Sequence, residues 1–131
     1  MSPLRIVDSI TELVPSDQGC LAVSGSHGGL SSARYALAAR PLLSVFNDAG
    51  GGKDGAGMAA LDFLQARGLA ACTVSHGSAR IGEAQSTMED GIVNQLNGLA
   101  LALGVRAGQP CLQVIDHLQT QPRRPSCTGS A

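Results

Sequence analysis

Three apolar, strand-like runs in this chain each end in a loop of glycine and polar residues. The runs cover 21–23, 42–46 and 69–74, and helix-like sequence follows each of the three loops. In a parallel sheet the carboxyl ends of the strands lie along one edge, where such folds bind their ligands. The repetition therefore predicts one composite site at that edge, built from three strand-to-helix loops.

Length and composition indicate one globular domain. A chain of 131 residues can bury ~65–70% of the surface that it exposes when unfolded. Hydrophobic residues make up 44% of the chain and charged residues 15%, which is a globular composition. We expect a single α/β domain over 1–120, followed by a flexible tail over 121–131 that is rich in Pro, Ser, Gly and Arg.

Strand-like and helix-like segments alternate along the chain, and this alternation predicts the fold class. Besides the three runs, a strand is predicted over 4–7, and helices are predicted over 30–40, 56–67, 83–103 and 111–119. The helix over 83–103 rests on the helical spacing of its apolar residues, with Gly91 expected to bend or break it. The pattern predicts a small three-layer α/β sandwich with a largely parallel sheet.

Charge and hydropathy limit the partners and the location. The net charge is −1 and the basic residues are scattered, so the chain lacks the basic patch expected of a nucleic-acid partner. No apolar stretch reaches the ~18 residues of a membrane span, and no signal peptide precedes the first strand. We therefore predict a cytoplasmic protein, and the small, Ala-rich chain favours a homo-oligomer.

The four cysteines are predicted to be buried, reduced thiols. Cys20, Cys72, Cys111 and Cys127 have no C-x-x-C spacing, and the first two lie beside or inside apolar strands. Cysteine in such positions behaves as a small hydrophobic residue, and a disulfide framework is not expected in this compartment.

The first loop contains Ser26, His27, Gly28 and Gly29. Glycines between a strand and a helix let backbone N–H groups approach an anion, and the start of the helix adds partial positive charge. Gly28 and Gly29 are therefore predicted to bind substrate, His27 to transfer protons, and Ser26 to act as a nucleophile or hydrogen-bond donor. The alternative for the serine is a tight turn that caps the helix.

The second loop begins with Asp48 and continues into Gly-Gly-Gly-Lys53. It is not a phosphate loop of the P-loop type, because Asp54 stands where a Ser or Thr would hold magnesium. We predict that Asp48 orients a catalytic histidine and that Lys53 binds substrate. An Asx turn at Asp48 and a solvated pair of Lys53 with Asp54 remain as alternatives.

The third loop contains His76, Ser78 and Arg80. The guanidinium group is a planar fork that suits a carboxylate or a phosphate. His76 is predicted to transfer protons, and Ser78 and Arg80 to bind substrate. Ser78 could instead cap the next helix, and Arg80 could form a structural salt bridge.

His27, Asp48 and His76 can be combined in two ways. Without a metal, one histidine is a general acid or base and Asp48 orients it, which suits histidine because it titrates near neutral pH. With a metal, two imidazoles and a carboxylate would suit Fe(II) or Zn(II). No H-x-H or H-x-x-x-H spacing marks a metal site, so no metal and no cofactor are predicted.

Four blocks of the sequence resemble a family of small bacterial proteins. The family blocks are V-x-D-S-I-T, G-S-H-G-G, N-D-A-G and S-H-x-S-A-R-I-G. They correspond here to 7–11 (V-D-S-I-T, one residue shorter than the family block), 25–29, 47–50 and 75–82. The resemblance covers most of 4–110. The family brings no established activity, so it implies no catalytic role for any residue.

The function predicted from the residues is a small enzyme, most consistent with a hydrolase acting on a small anionic metabolite by His/Asp acid-base chemistry. Two alternatives remain: a non-catalytic anion-binding or regulatory module, and a metal-dependent lyase or isomerase. A structural subunit of a larger complex, in which the glycines serve only packing, is a further alternative.

Overall fold

The computed structural model describes residues 3–48 and 56–120, and in it five strands form one sheet in their chain order. The strands are β1 (Leu4–Val7), β2 (Leu21–His27), β3 (Leu43–Asn47), β4 (Ala70–Val74) and β5 (Val93–Leu96). The first four strands are parallel, and β5 runs antiparallel to β4. The predicted, largely parallel α/β sheet is confirmed, whereas the tail predicted over 121–131 lies outside the described residues.

Helices cover both faces of the sheet. They are α1 (Leu30–Ala39), α2 (Ala56–Ala66), α3 (Ala84–Asp90), α4 (Gly98–Ala102) and α5 (Cys111–Thr120), and two short 3-10 helices (Ile10–Glu12 and Pro15–Asp17) join β1 to β2. The connections from β1 to β4 all step in the same direction, and their right-handedness puts α1 and α2 on one face. None of the described helices is long and apolar enough to cross a membrane.

Two separate apolar cores confirm the three-layer arrangement. Because side chains alternate along a strand, Leu21, Val23 and Val45 belong to the core under α3 and α5, while Ala22 and Phe46 belong to the core under α1 and α2. The α1 face toward the sheet is formed by three fully or almost fully buried alanines. These small side chains let the helix approach the sheet closely. A close approach suits this chain, because it has few large aromatic side chains to fill a wider gap.

The ends of α1 and α2 follow from local chemistry. Arg40 adopts the left-handed conformation at φ 52° directly after α1, and Pro41 cannot continue the helix. After α2, Gly68 has φ 81° and donates its N–H to Gln65 O at 3.2 Å. A glycine at this position is typical of a helix C-terminus, and it confirms the predicted stop.

The helix predicted over 83–103 ends at Gly91, where a bend or break was expected, but its continuation is wrong, because β5 separates α3 from α4. Gly91 closes α3 by donating its N–H to Thr87 O. Residues 93–96 then pair with β4. Without this pairing, the backbone N–H and C=O groups along the edge of β4 would have no partner in the sheet. Asn97 starts α4 by accepting the Ala100 N–H, and it also accepts the Ala71 N–H. The helical spacing of apolar residues was therefore overridden by pairing with the sheet.

The described cysteines are buried and free, as predicted. Burial raises the pKa of Cys72 and raises the pKa of Cys111 to about 12. The pKa of Cys20 is also raised, first by burial and then by Asp17. These thiols are therefore poor nucleophiles at neutral pH. Cys127 lies outside the described residues.

Candidate functional site

The loops that follow β2, β3 and β4 are joined by backbone hydrogen bonds. Gly28 N donates to Asn47 O at 3.0 Å, and Gly82 N donates to Gly25 O at 2.7 Å. The β3 loop connects to the β4 loop through Asp48, whose Oδ1 accepts the His76 N–H at 2.8 Å. The three loops therefore form one connected surface at the carboxyl edge of the sheet.

Asp48 and His76 form a hydrogen-bonded pair on this surface. Asp48 directly follows β3 and only 9% of its side chain is exposed, whereas 63% of the His76 side chain is exposed. His76 Nδ1 lies 3.2 Å from Asp48 Oδ1. A carboxylate only accepts hydrogen bonds, so Nδ1 carries a proton, and in the neutral imidazole Nε2 then has a free lone pair. Within 3–48 and 56–120, Nε2 has no protein partner.

Two residues that the sequence analysis did not single out support the carboxylate. Asn94 Nδ2 donates to Asp48 Oδ2, and Asn94 Oδ1 accepts a hydrogen bond from Thr73 Oγ1 at 2.7 Å. Both Asp48 oxygens therefore accept hydrogen bonds, which fix the plane of the carboxylate.

Asn94 was missed because it falls inside the long helix predicted from the apolar spacing. The sequence does contain evidence against that helix. Gly91 stands before the β-branched pair Ile92-Val93, and the Asn97-Gly98 dipeptide typical of turns stands after it. These flanks could have identified a short strand, but they give no indication that its asparagine reaches Asp48.

His27 is in a different environment from His76. It pairs in register with Asn47 at the end of β2, and its Nε2 is buried without a hydrogen-bond partner among the described residues. No hydrogen bond in the described part of the chain connects it to Asp48 or His76. The described residues also contain no cluster of three or more side chains that could hold a metal ion, so the metal alternative gains no support.

The glycine N–H groups predicted to bind an anion are already hydrogen-bonded within the protein. Gly28 N donates to Asn47 O, and Gly29 N donates to His27 O at 2.9 Å. Ser26 Oγ accepts the N–H of Ile10 at 2.9 Å and so fixes the first 3-10 helix. These three residues support the loop, and neither glycine N–H is open to a ligand.

Ser78 is also engaged within its own loop. Its Oγ donates to Ser75 O at 2.8 Å, accepts from Ser75 Oγ at 2.9 Å, and accepts the Ile92 N–H at 2.9 Å. Such a hydroxyl has no capacity left for a substrate. It instead holds the loop that presents His76.

Of the two cationic residues that were predicted to bind substrate, the structure describes only Arg80. The Arg80 side chain is 80% exposed, and Nη1 lies 3.9 Å from Glu83 Oε2, which is a loose ion pair. Such an exposed pair contributes little to stability, so the guanidinium can reorient toward a ligand. Lys53, like the rest of 49–55, lies outside the described residues.

The Asp48–His76 pair is suited to moving one proton. An exposed imidazole whose Nε2 has no described protein partner can accept a proton there, and the carboxylate that binds Nδ1 fixes the orientation of the ring. Comparison of the chain with protein-family models, with curated proteins and with solved structures finds no match, so a functional assignment rests on this geometry.

Proposed function

We propose that this protein is a small hydrolase in which His76 is the general base and Asp48 orients it. The observation that carries the proposal is the hydrogen bond from His76 Nδ1 to a carboxylate that is itself fixed by protein donors.

The chemistry follows from the free Nε2. It accepts a proton from a water molecule while the water oxygen attacks a carbonyl carbon or a phosphorus atom of the substrate. The imidazolium then returns this proton to the oxygen of the leaving group, so the histidine ends the cycle neutral. Asp48 stabilises the imidazolium between these steps. General acid-base catalysis of this kind accelerates a reaction about 10²–10⁴-fold.

The substrate class in this proposal is a small anionic metabolite. Arg80 supports it, because this exposed guanidinium lies in the same loop as His76. A cytoplasmic location is consistent with three free, buried thiols. A homo-oligomer would cover some of the apolar side chains that are exposed in the single chain, such as Tyr35, Ile81 and Leu112.

The test measures hydrolysis of p-nitrophenyl acetate and p-nitrophenyl phosphate, a neutral and an anionic probe, by the full chain. The critical variant is His76→Gln, and the matched control is His117→Gln. His117 is exposed on α5 and lies against Gly104. Because β5 is antiparallel to β4, the chain that leaves it toward Gly104 runs to the end of the sheet opposite the Asp48–His76 pair. His117 therefore lies far from that pair.

We expect His76→Gln to lower the rate about 10²–10⁴-fold, Asp48→Asn to lower it as well, and His117→Gln to match wild type. Arg80→Gln should raise KM for the anionic probe alone. Equal rates in wild type and His76→Gln would contradict the proposal. An anion that binds and is recovered unchanged, without turnover of either probe, would instead identify a binding module.

A further inference from the structure

The pairing of β5 with β4 contains an irregularity at one residue. Val74 pairs with Val93, and the preceding residue Thr73 pairs with Gln95, so Asn94 is an extra residue with no partner on β4. This two-against-one arrangement is a β-bulge. Bulges turn a side chain away from the direction that regular alternation would give it, and they are frequent beside active sites.

The residue at the bulge, Asn94, is also the one whose side chain contacts Asp48. Asn94 lies on the edge strand, yet its amide reaches Asp48, which follows β3 on the far side of β4. Thr73, on the intervening strand, is fully buried and donates its hydroxyl hydrogen to Asn94 Oδ1. The Thr73 hydroxyl holds this amide in place, and the Asp48 carboxylate, which only accepts hydrogen bonds, selects the orientation that directs Nδ2 toward it. The reversed amide would place its oxygen against a carboxylate oxygen.

We propose that Asn94, set by the bulge and oriented by Thr73, is a positioning residue that holds Asp48 so that His76 remains in the Nδ1–H tautomer. The hydrolase reaction requires this tautomer, because only then is Nε2 free to accept a proton. The inference rests on the proposed function for its purpose, but the tautomer can be measured without any substrate.

The direct test is the tautomer of neutral His76, read from long-range ¹H–¹⁵N correlations of the imidazole in the full chain. Wild type should show the Nδ1–H form. Asn94→Leu keeps the size of the side chain and removes the donor, so the signals should move toward the Nε2–H form that imidazole favours in water. Gln95→Leu is the matched control, because Gln95 lies on the same strand without a described hydrogen bond to Asp48.

A second pair of variants tests whether Thr73 acts through Asn94. Thr73→Val keeps the shape and removes the hydroxyl, whereas Thr73→Ser keeps the hydroxyl. Thr73→Val should shift the tautomer and Thr73→Ser should restore the wild-type signals. If Thr73 acts only through Asn94, Thr73→Val should cause no further shift in the tautomer of His76 when residue 94 is already leucine.

Kinetics supply the second readout. Displacement of the catalytic pair can cost up to about 100-fold in rate, so kcat should fall in Asn94→Leu and Thr73→Val while KM is retained. Thermal unfolding of each variant separates this effect from loss of the fold, and if Asn94→Leu does not fold, the Thr73 pair decides the question.

The two proposals can fail separately. An unchanged tautomer and kcat in folded Asn94→Leu, or in Thr73→Val where Asn94→Leu does not fold, overturn the positioning role, even where His76→Gln abolishes hydrolysis. A tautomer that shifts in Asn94→Leu and Thr73→Val supports the positioning role, even where neither chromogenic probe is hydrolysed and the hydrolase proposal is lost.

Discussion

The tripeptide Ser-His-Gly occurs twice in this chain, at 26–28 and at 75–77, each time at the carboxyl end of a central strand. At the second copy, Asp48 and Asn94 come from the neighbouring strands and build a support behind an exposed imidazole. At the first copy, the ring nitrogen Nε2 of His27 is buried without a described partner.

The two loops also differ in what packs against them. The chain at Gly25 approaches the backbone at Gly82 and Glu83 so closely that an added Cβ would lie 2.5 Å from Glu83 N. At Gly77 an added Cβ would meet nothing within 4 Å. The residue directly before the first copy, Gly25, is therefore a packing junction beneath the start of α3, whereas Gly77 in the second copy faces open space.

The comparison shows that neighbouring strands, rather than the tripeptide, set the role of each histidine. Both histidines have the same local chemistry, and only His76 has a carboxylate within hydrogen-bond reach in the described structure. Four predictions test this difference, from the largest expected effect to the smallest.

The first prediction concerns the two glycines. Gly25→Ala places a methyl group against backbone atoms of 82–83 that cannot move independently, so it should lower the free energy of unfolding by about 3 kcal/mol. Gly77→Ala, in open space, should change it by less than about 0.5 kcal/mol. Urea unfolding of both variants measures the difference. Equal stabilities would show that the two loops are packed alike.

The second prediction concerns access to the imidazoles. Diethylpyrocarbonate should modify the exposed His76 readily, as read by mass spectrometry of peptides. His27 should react about 100-fold more slowly, because its Nε2 is reached only after local opening that costs a few kcal/mol. Equal rates for His27 and His76 would remove the main difference between the two copies.

Much of the fold could be predicted from the sequence because its signals are local. The apolar runs of β2 to β4 identify strands buried on both faces, and Pro41 and Gly68 mark the helix ends where the structure has them. The segment from Gly91 to Asn97 was assigned wrongly, because pairing with the edge of β4 depends on a strand about twenty residues earlier in the chain, which periodicity does not detect.

Only part of the candidate site could be predicted. Asp48 and His76 were identified by their positions after strands, and the structure brings them together. The predicted anion cradle of Gly28 and Gly29 is occupied by Asn47 O and His27 O. Whether a backbone N–H is open to a ligand depends on the neighbouring strand, and the sequence alone does not reveal this.

The third prediction separates a structural serine from a nucleophile. Ser26→Ala removes the acceptor of the Ile10 N–H, and the unpaired donor should cost about 1–2 kcal/mol of stability. Hydrolysis of the chromogenic probes per folded molecule should be unchanged. Ser31→Ala, at an exposed site on α1, is the matched control. A folded Ser26→Ala without activity would show that the first loop takes part in catalysis.

The last prediction addresses His27 itself. A buried ring nitrogen without a partner is unfavourable, because it loses its hydrogen bonds to water on folding. His27→Leu removes this nitrogen and should raise the free energy of unfolding by up to about 1 kcal/mol. His76→Leu removes the hydrogen bond from Nδ1 to the buried Asp48 and should instead lower the free energy of unfolding by about 1 kcal/mol. Urea unfolding of the two variants tests both values. A loss of several kcal/mol in His27→Leu would mean that His27 is hydrogen-bonded in solution, and the two copies of the tripeptide would then be more alike than the described contacts indicate.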